Sequence, residues 1–449
     1  MAKTTTPKPT ATRQAPPQTK PGDRVRVSTT AESIEGILIP RPALLEQDIT
    51  ILKLDTGYNI GIDNKHIKKI EKIGAGVRLE VFPSLKLQQK KGLPAVALIA
   101  TGGTISSRLD YQTGGVKWLM EPGQLFALVP EIADFVRFKE IRTPFLKSSE
   151  DMVPENWQVI AQHCAELLND DEISGVIVTH GTDTLHYTAA ALSFMLKNLS
   201  KPVVLTYSQR STDRASTDTV LNLKSACHMA ASDIAEVMLV GHGSSDDTHC
   251  LAIRGTKVRK MHTSRRDAFR PINDVPLARV SSDGKIEVLN KTVKKRAATP
   301  AKMTLANGFE GRVAIIKYYP GCCPTIIDHY VKQGYKGLVL ESVGLGHVAG
   351  PDSQNSWMKA LTDAIAKGVI VCATAQTIYG RLNPLVYSTG RELQKLGVIY
   401  LQDMLTETAY VKLGWVLAQA KDRKDAQKML LENVAGEIND RIAHQSFLV

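Results

Sequence analysis

Two apolar runs in this chain end in the same way, and that repetition constrains its fold more than any other feature. Ala95–Ala100 runs into Thr101-Gly102-Gly103-Thr104, and Gly175–Thr179 runs into His180-Gly181-Thr182-Asp183-Thr184. A short continuous apolar run bounded by turn residues reads as a strand buried on both faces, the situation found in parallel sheets. Pro202–Tyr207 and Glu236–Val240 read likewise, with helical stretches Thr184–Lys197 and Ala215–Ala231 between strands. Strands alternating with helices predict a parallel α/β sheet.

The rhythm lapses in a basic, less periodic stretch to about Lys302. It resumes with strands Val313–Tyr319, Gly337–Glu341 and Val369–Thr374. That predicts a larger α/β domain over 93–290, a linker over 291–310 and a smaller α/β domain over 311–449. Ahead of them, 1–21 is Thr, Pro, Lys, Gln and Ala with little to bury, which predicts a disordered tail. From Gly22 to about residue 82, Asp23–Val27, Glu35–Ile39, Ile49–Asp55 and Tyr58–Ile62 read as closely spaced strands. They predict a small SH3-like β-barrel, suited to RNA contact, to partner docking or only to packing.

The formal charge is +11, from 56 basic and 45 acidic residues. It is concentrated. Residues 1–20 carry Lys3, Lys8, Arg13 and Lys20 with no acid, and Arg254–Lys302 carries fourteen basic residues against Asp267, Asp274, Asp283 and Glu287. The rest of the chain is slightly acidic. Such islands suit a phosphate-rich partner, and they equally suit a solvated tail and a lysine-rich linker.

Six cysteines stand at 164, 227, 250, 322, 323 and 372, with no C-x-x-C pair. Reduced thiols in a cytoplasmic protein are the expectation. No apolar run is long enough to span a membrane, and the N-terminus has no apolar signal region. There is no G-x-x-x-x-G-K-[ST] phosphate loop and no G-x-S-x-G elbow. Gly344-Leu345-Gly346 follows a strand, with the wrong spacing for a dinucleotide loop. His242 and His249 flank Asp246 and Asp247 without a third spaced metal ligand, and a solvated loop is the expectation there.

The strand-end threonines carry the chemistry. Parallel α/β folds bind ligands at the carboxyl ends of their strands. Each glycine-threonine turn leaves a hydroxyl there, and the second adds the carboxylate of Asp183. Asp183 or Thr184 can also serve only to cap the helix that follows. A threonine hydroxyl is a poor nucleophile until a base takes its proton, and a desolvated lysine can be that base.

On these residues the chain resembles the bacterial-type L-asparaginase/glutaminase family. Ala100-Thr101-Gly102-Gly103-Thr104-Ile105 and Thr179-His180-Gly181-Thr182-Asp183-Thr184 are similar to its two signature motifs. Ser148-Ser149-Glu150-Asp151-Met152 resembles its Ser-Gln-Asp-Met segment, Lys201-Pro202-Val203-Val204 its third strand, and Val258-Arg259-Lys260 its lysine segment. The likeness covers about residues 93–440. Gly22-Asp23-Arg24-Val25, Asp63-Asn64-Lys65-His66-Ile67 and the glutamate at Glu150 extend it to the ammonia-supplying subunits of archaeal glutamyl-tRNA(Gln) amidotransferases.

The resemblance implies an asparaginase-like two-domain α/β body behind the barrel. It implies Thr104 as nucleophile, with Thr182, Asp183 and Lys260 moving the proton. Ser149 and Glu150 would hold the α-carboxylate and α-ammonium ends of the substrate, Gly103 would bind substrate through its backbone, and Tyr111 would support Thr104 from a mobile loop. His180 is not expected to be catalytic. The chain itself would need no metal or cofactor. ATP and Mg²⁺ would be used by a partner, the E-type subunit of the amidotransferase, which also receives most of the tRNA(Gln) contact. A heterodimer, itself paired through the present chain, is implied. Asparaginases usually read Arg-Pro-Ser-Thr after the third strand, and here it is Arg210-Ser211-Thr212-Asp213, so the assembly is expected to depart from their tetramer. A stand-alone cytosolic asparaginase/glutaminase is the alternative; it leaves the barrel and the basic segment unexplained.

Overall fold

The computed structural model describes residues 19–41, 48–74, 90–109, 116–118, 129–297 and 302–447. Most of the tail at 1–21, the segment joining barrel to body and Tyr111 lie outside these residues. Two compact units are present, one comprising 1–82, 109–117 and 213–215, the other the rest of the chain.

The first unit is a five-stranded antiparallel sheet. Its order is Asn59–Asp63, Ile49–Lys53, Ser33–Ile39, Arg24–Thr29, Ile67–Gly74. The four strands expected from sequence are there, and Ile67–Gly74 is a fifth that its lysines concealed. Val25, Val27, Leu52 and Ile62 form the core of this small β unit. The buried Lys53 ammonium donates to the backbone oxygen and carboxylate of Asp213, at 3.0 and 2.9 Å.

The second unit is built on an eight-stranded sheet. Its order is Ile286–Val288, Ala278–Ser281, His249–Arg254, Val237–His242, Val203–Thr206, Ile173–Thr179, Ala95–Ala100, Arg137–Arg142. The last five named are mutually parallel. The first three add on in antiparallel register. Alternation along a central strand serves two cores. Ala97 and Ile99 pack with the helices Pro154–Leu168 and Leu185–Met195, while Val96 and Leu98 pack with the cluster that contains helix Thr219–Ala231. A four-stranded parallel sheet follows, Val313–Lys317, Gly337–Ser342, Ile370–Ala375, Ile399–Tyr400. Helix Thr406–Gln419 shares the first of these cores, so the two sheets are joined by common apolar packing.

The basic stretch is more structured than its sequence suggested. Between Arg254 and residue 297 it completes His249–Arg254 and forms the strands Val258–Lys260, Phe269–Pro271, Ala278–Ser281 and Ile286–Val288. These are too short to show a clear alternation, and many of their charged side chains are paired rather than solvated. Farther on, Thr304–Leu305 pairs with Leu196–Lys197, which follows directly on the helix that ends at Met195.

The order of the parallel strands fixes where a site can form. In chain order the five read 5-4-3-1-2, so the connections leave the first strand in opposite directions. The reversal lies between Ala95–Ala100 and Ile173–Thr179. A crevice opens outside the carboxyl ends of strands at such a point. Both glycine-threonine turns begin there, since Ala100 and Thr179 are paired in register.

Candidate active site

The two turns are locked together through backbone. Thr101 N–H and Oγ1–H both donate to Thr179 O, at 3.2 and 2.8 Å. Gly102 and Gly103 adopt φ of 111° and 80°, open to glycine at little cost. A Cβ on Gly103 would stand 2.3 Å from Gly181 N, and one on Gly181 would stand 2.8 Å from Ser149 Cβ. The two glycines therefore touch, and the residue after each is a threonine. This contact brings Thr104 and Thr182 to one place.

The segment carrying Ser149 and Glu150 docks on the same edge. Lys147 N–H donates to Thr101 O at 2.9 Å, with Gly102 and Lys147 bridged in parallel. Ser149 is buried; its Oγ accepts the Asp183 N–H at 3.1 Å, and its carbonyl accepts Thr184 Oγ1–H at 2.6 Å. Thr184 thus sits at the N-cap of helix Leu185–Met195 without capping it through its side chain. Its hydroxyl braces the site instead. Glu150 is exposed beside Ser149.

Lys260 completes the group. Its ammonium donates to Thr182 Oγ1 at 2.9 Å and to Asp183 Oδ1 at 2.7 Å. Thr182 is only 8% exposed, whereas the Asp183 side chain is largely open to solvent. The lysine head is therefore shared between a shielded hydroxyl and an open carboxylate. Thr104 is half-buried, and no hydrogen bond fixes its hydroxyl among the described residues. Of the site residues expected from sequence, Gly103, Ser149, Thr182, Asp183 and Lys260 are linked here by contact; Thr104 directly follows Gly103, Glu150 follows Ser149 with its side chain exposed, and Tyr111 lies outside the described residues.

His180 is a brace. Its Nδ1 lies 2.7 Å from Gly181 O and its Nε2 2.9 Å from Thr188 Oγ1. A neutral ring protonated at Nδ1 satisfies both partners. Burial holds it neutral, with its pKa lowered to about 4. His186 is lowered to about 4 for the same first reason.

Two other motifs resolve into structure. Gly344–Gly346 forms a tight turn closed by a bridge between Val343 and His347, and the next helix starts only at Met358. His242 is buried between Asn222 Oδ1 at 2.6 Å and Asp247 Oδ1 at 2.9 Å. A cleft of about 810 Å³, lined by Phe194, Lys197, Arg254, Lys294, Trp415 and Arg441 among others, contains none of the threonine-turn residues. That cleft is therefore not where the polar groups converge.

Sequence reading missed Lys147, Arg259 and Glu407. Lys147 immediately precedes the Ser148-Ser149 segment, which is a local clue. Arg259 neighbours Lys260 and is paired with Glu407, 148 residues away, for which the sequence offers no sign.

Comparison with known proteins places the fold. Residues 95–294 match the N-terminal asparaginase family, 312–430 the glutaminase/asparaginase C-terminal domain, and 19–73 the GatD N-terminal domain. The thermostable L-asparaginase from Thermococcus kodakarensis superposes with a TM-score of 0.67 at 29% identity, over 77% of this chain and 100% of that one. The D-type subunit of glutamyl-tRNA(Gln) amidotransferase from Pyrococcus furiosus is 48% identical over 433 residues, covering 95% of this chain and 97% of that protein. Its counterpart from Thermococcus kodakarensis is 49% identical, covering 95% and 96%. With an asparaginase-like fold preceded by an antiparallel β unit, this chain belongs to the GatD family, the D-type subunits of glutamyl-tRNA(Gln) amidotransferase.

Proposed function

We propose that the chain is the glutaminase of a two-subunit amidotransferase, releasing ammonia that a partner uses to convert Glu-tRNA(Gln) to Gln-tRNA(Gln). The observation that carries this reading is Lys260, bonded to Thr182 and Asp183 beside the Gly103–Gly181 contact. Thr104 Oγ attacks the side-chain amide carbon of glutamine. Its proton passes to the Thr182–Asp183–Lys260 group, which must first have given up a proton. That group then protonates the departing nitrogen, the C–N bond breaks and ammonia leaves. Water hydrolyses the Thr104 ester to glutamate. Backbone N–H groups around Gly103 and Thr182 hold the oxyanion, each donor worth about 3–4 kcal/mol at the transition state.

Ser149 and Glu150 hold the backbone end of glutamine. Ser149 still has its own proton to donate, and exposed Glu150 supplies a negative charge for the α-ammonium. Tyr111, outside the described residues, is assigned the supporting role toward Thr104 that the family resemblance implies. These residues need neither metal nor cofactor. The partner, the E-type subunit, uses ATP and Mg²⁺ to phosphorylate the tRNA-bound glutamate before ammonia displaces phosphate. It carries most of the tRNA contact, and heterodimers pair through the present chain in the cytoplasm. No described helix is long and apolar enough to cross a membrane. The N-terminal β unit, matched at residues 19–73, favours this reading over a stand-alone asparaginase, whose solved relative covers only 77% of the chain.

The test is amidation of Glu-tRNA(Gln) by the reconstituted complex. Thr104→Val and Lys260→Ala should each abolish glutamine-dependent amidation and leave ammonia-dependent amidation intact. Loss of both activities would overturn the assignment of these residues to ammonia release.

A further inference from the structure

Lys260 sits on a strand of only three residues, Val258–Lys260, whose one partner among the described residues is Phe269–Pro271. That pair stands apart from the eight-stranded sheet. A lysine stem is long and flexible, with many rotamers open to it, so a short ribbon alone places its head poorly. Something else must fix the backbone that carries it.

Besides Thr256 Oγ1–H donating to Ala435 O at 3.0 Å, three contacts come from one stretch of the smaller α/β half. Thr408 Oγ1–H donates to Thr256 O at 2.9 Å. The Lys257 ammonium donates to Asp403 Oδ2 at 2.6 Å, with both side chains fully buried. Arg259 Nε–H donates to Glu407 Oε1 at 2.7 Å, again with a well-shielded carboxylate. Residues 256, 257 and 259 are thus gripped by 408, 403 and 407, immediately before Lys260.

The gripping stretch is itself rigid. Thr406, Glu407 and Thr408 open helix Thr406–Gln419, which packs in the main core. Asp403 is held further by Asn439, whose N–H and Nδ2–H reach its two oxygens at 3.0 and 3.1 Å.

We infer that Arg259 and Glu407 are positioning residues for Lys260, and that the smaller α/β half serves to aim the proton-transfer group. Neither residue touches Thr104, Thr182 or Asp183 in the hydrogen-bond pattern; they act through the backbone of Lys260. Successive side chains on a strand point to opposite faces, so a carboxylate that holds Arg259 on one face turns Lys260 toward the other. The inference rests on the proposed role of Lys260 in amide hydrolysis.

The experiment measures glutamine hydrolysis by the assembled complex with Arg259→Ala, Arg259→Lys, Glu407→Gln and Lys260→Ala. Melting temperature and ammonia-dependent amidation are recorded alongside. A displacement of about 1 Å costs on the order of 100-fold in rate. Arg259→Ala is therefore expected to lower kcat by about 10- to 100-fold, with KM within about twofold and ammonia-dependent amidation unchanged. Arg259→Lys keeps the charge and should recover part of that loss; Glu407→Gln keeps the acceptor and should lose less than Arg259→Ala.

A folded Arg259→Ala complex with wild-type kcat overturns the inference. If Arg259→Ala fails to fold, Arg259→Lys and Glu407→Gln decide: kcat unchanged in both overturns it, and kcat lowered at unchanged KM and melting temperature supports it. Lys260→Ala separates the two levels. Full hydrolysis by that variant refutes the catalytic reading itself, whereas an inactive Lys260→Ala beside unaffected Arg259 and Glu407 variants refutes only the positioning role.

Discussion

The glycine-threonine turns and the basic segment from Arg254 onward meet at the same site and are held by opposite means. The turns are fixed by backbone contact so close that a single Cβ has no room, as at Gly103 against Gly181 N. The basic segment is fixed by long charged side chains. Arg254 reaches Glu236 and Asp274, Lys257 reaches Asp403, Arg259 reaches Glu407, and Arg265 with Arg270 reach Asp267. Each turn's glycine and threonine sit together in a short motif and can be read locally, although the contact they make joins distant parts of the chain. An ion pair cannot be read this way, because its partner can lie anywhere in the chain. The contrast also divides tolerance: the turns should fail on the smallest addition, the segment only where a charge is buried.

The largest effect expected from this contrast lies at Lys257 and Asp403. Removing one member of a buried pair strands the other and costs about 3–5 kcal/mol. Lys257→Ala should therefore lower unfolding stability by that order in a urea titration. Replacing both, Lys257→Met with Asp403→Leu, should cost much less, because no charge is left unpaired. If the double variant were the worse one, the segment would be held by hydrogen bonding around Asp403 rather than by the pairing of charges.

Next comes Gly103→Ala, a change of one methyl group. The backbone must shift to admit it, and a shift of about 1 Å costs on the order of 100-fold in rate. Glutamine hydrolysis should fall by that order while the protein stays folded. Near-normal activity would show that the turns are less tightly coupled than their contact indicates.

Acid should separate the two regions. His180, inside the second turn, has a folded pKa of about 4, below the ordinary 6.5. The unfolded chain takes up that proton first, so the contribution is complete above pH 6.5 and drains away as pH falls toward 4. The slope is at most about 1.4 kcal/mol per pH unit for one group. Asp267, held by Arg265 first and then Arg270, lies at about 2, below 3.8. Its contribution is complete above pH 3.8 and is lost only toward 2. Unfolding midpoints of wild type, His180→Gln and Asp267→Asn, followed from neutral pH down to about 2, should therefore diverge in different windows. A shared window would contradict the separation.

The smallest effect belongs to Arg279 and Glu287, both about half exposed. Pairs of this kind contribute under about 1 kcal/mol. Arg279→Gln should leave both stability and glutamine hydrolysis within error, which marks the lower bound of what charge does in this segment.

Most of the site was legible because its determinants are local. Thr104, Thr182, Asp183, Ser149 and Glu150 sit in short motifs, the first three at strand ends that apolar runs place in the sheet. The strand Ala95–Ala100 has the bounds read from sequence, since a six-residue apolar run followed by glycines leaves little choice. The basic segment was not legible as structure. Its strands are only a few residues long, too short for periodicity, and its charges looked solvated because key carboxylates such as Asp403 and Glu407 are remote. Arg259 illustrates the limit: nothing near it in sequence indicates Glu407. Ile67–Gly74 was hidden for a related reason, as an outer strand rich in lysine and only partly buried.

The central claim is that Thr104 is the nucleophile, and covalent trapping tests it most directly. The assembled complex would be incubated with a diazo-ketone analogue of glutamine, digested and sequenced by mass spectrometry. The account predicts a single adduct on Thr104, blocked by excess glutamine and absent in Thr104→Val. A glutamine-protected adduct on Thr182 or on any other residue would contradict it.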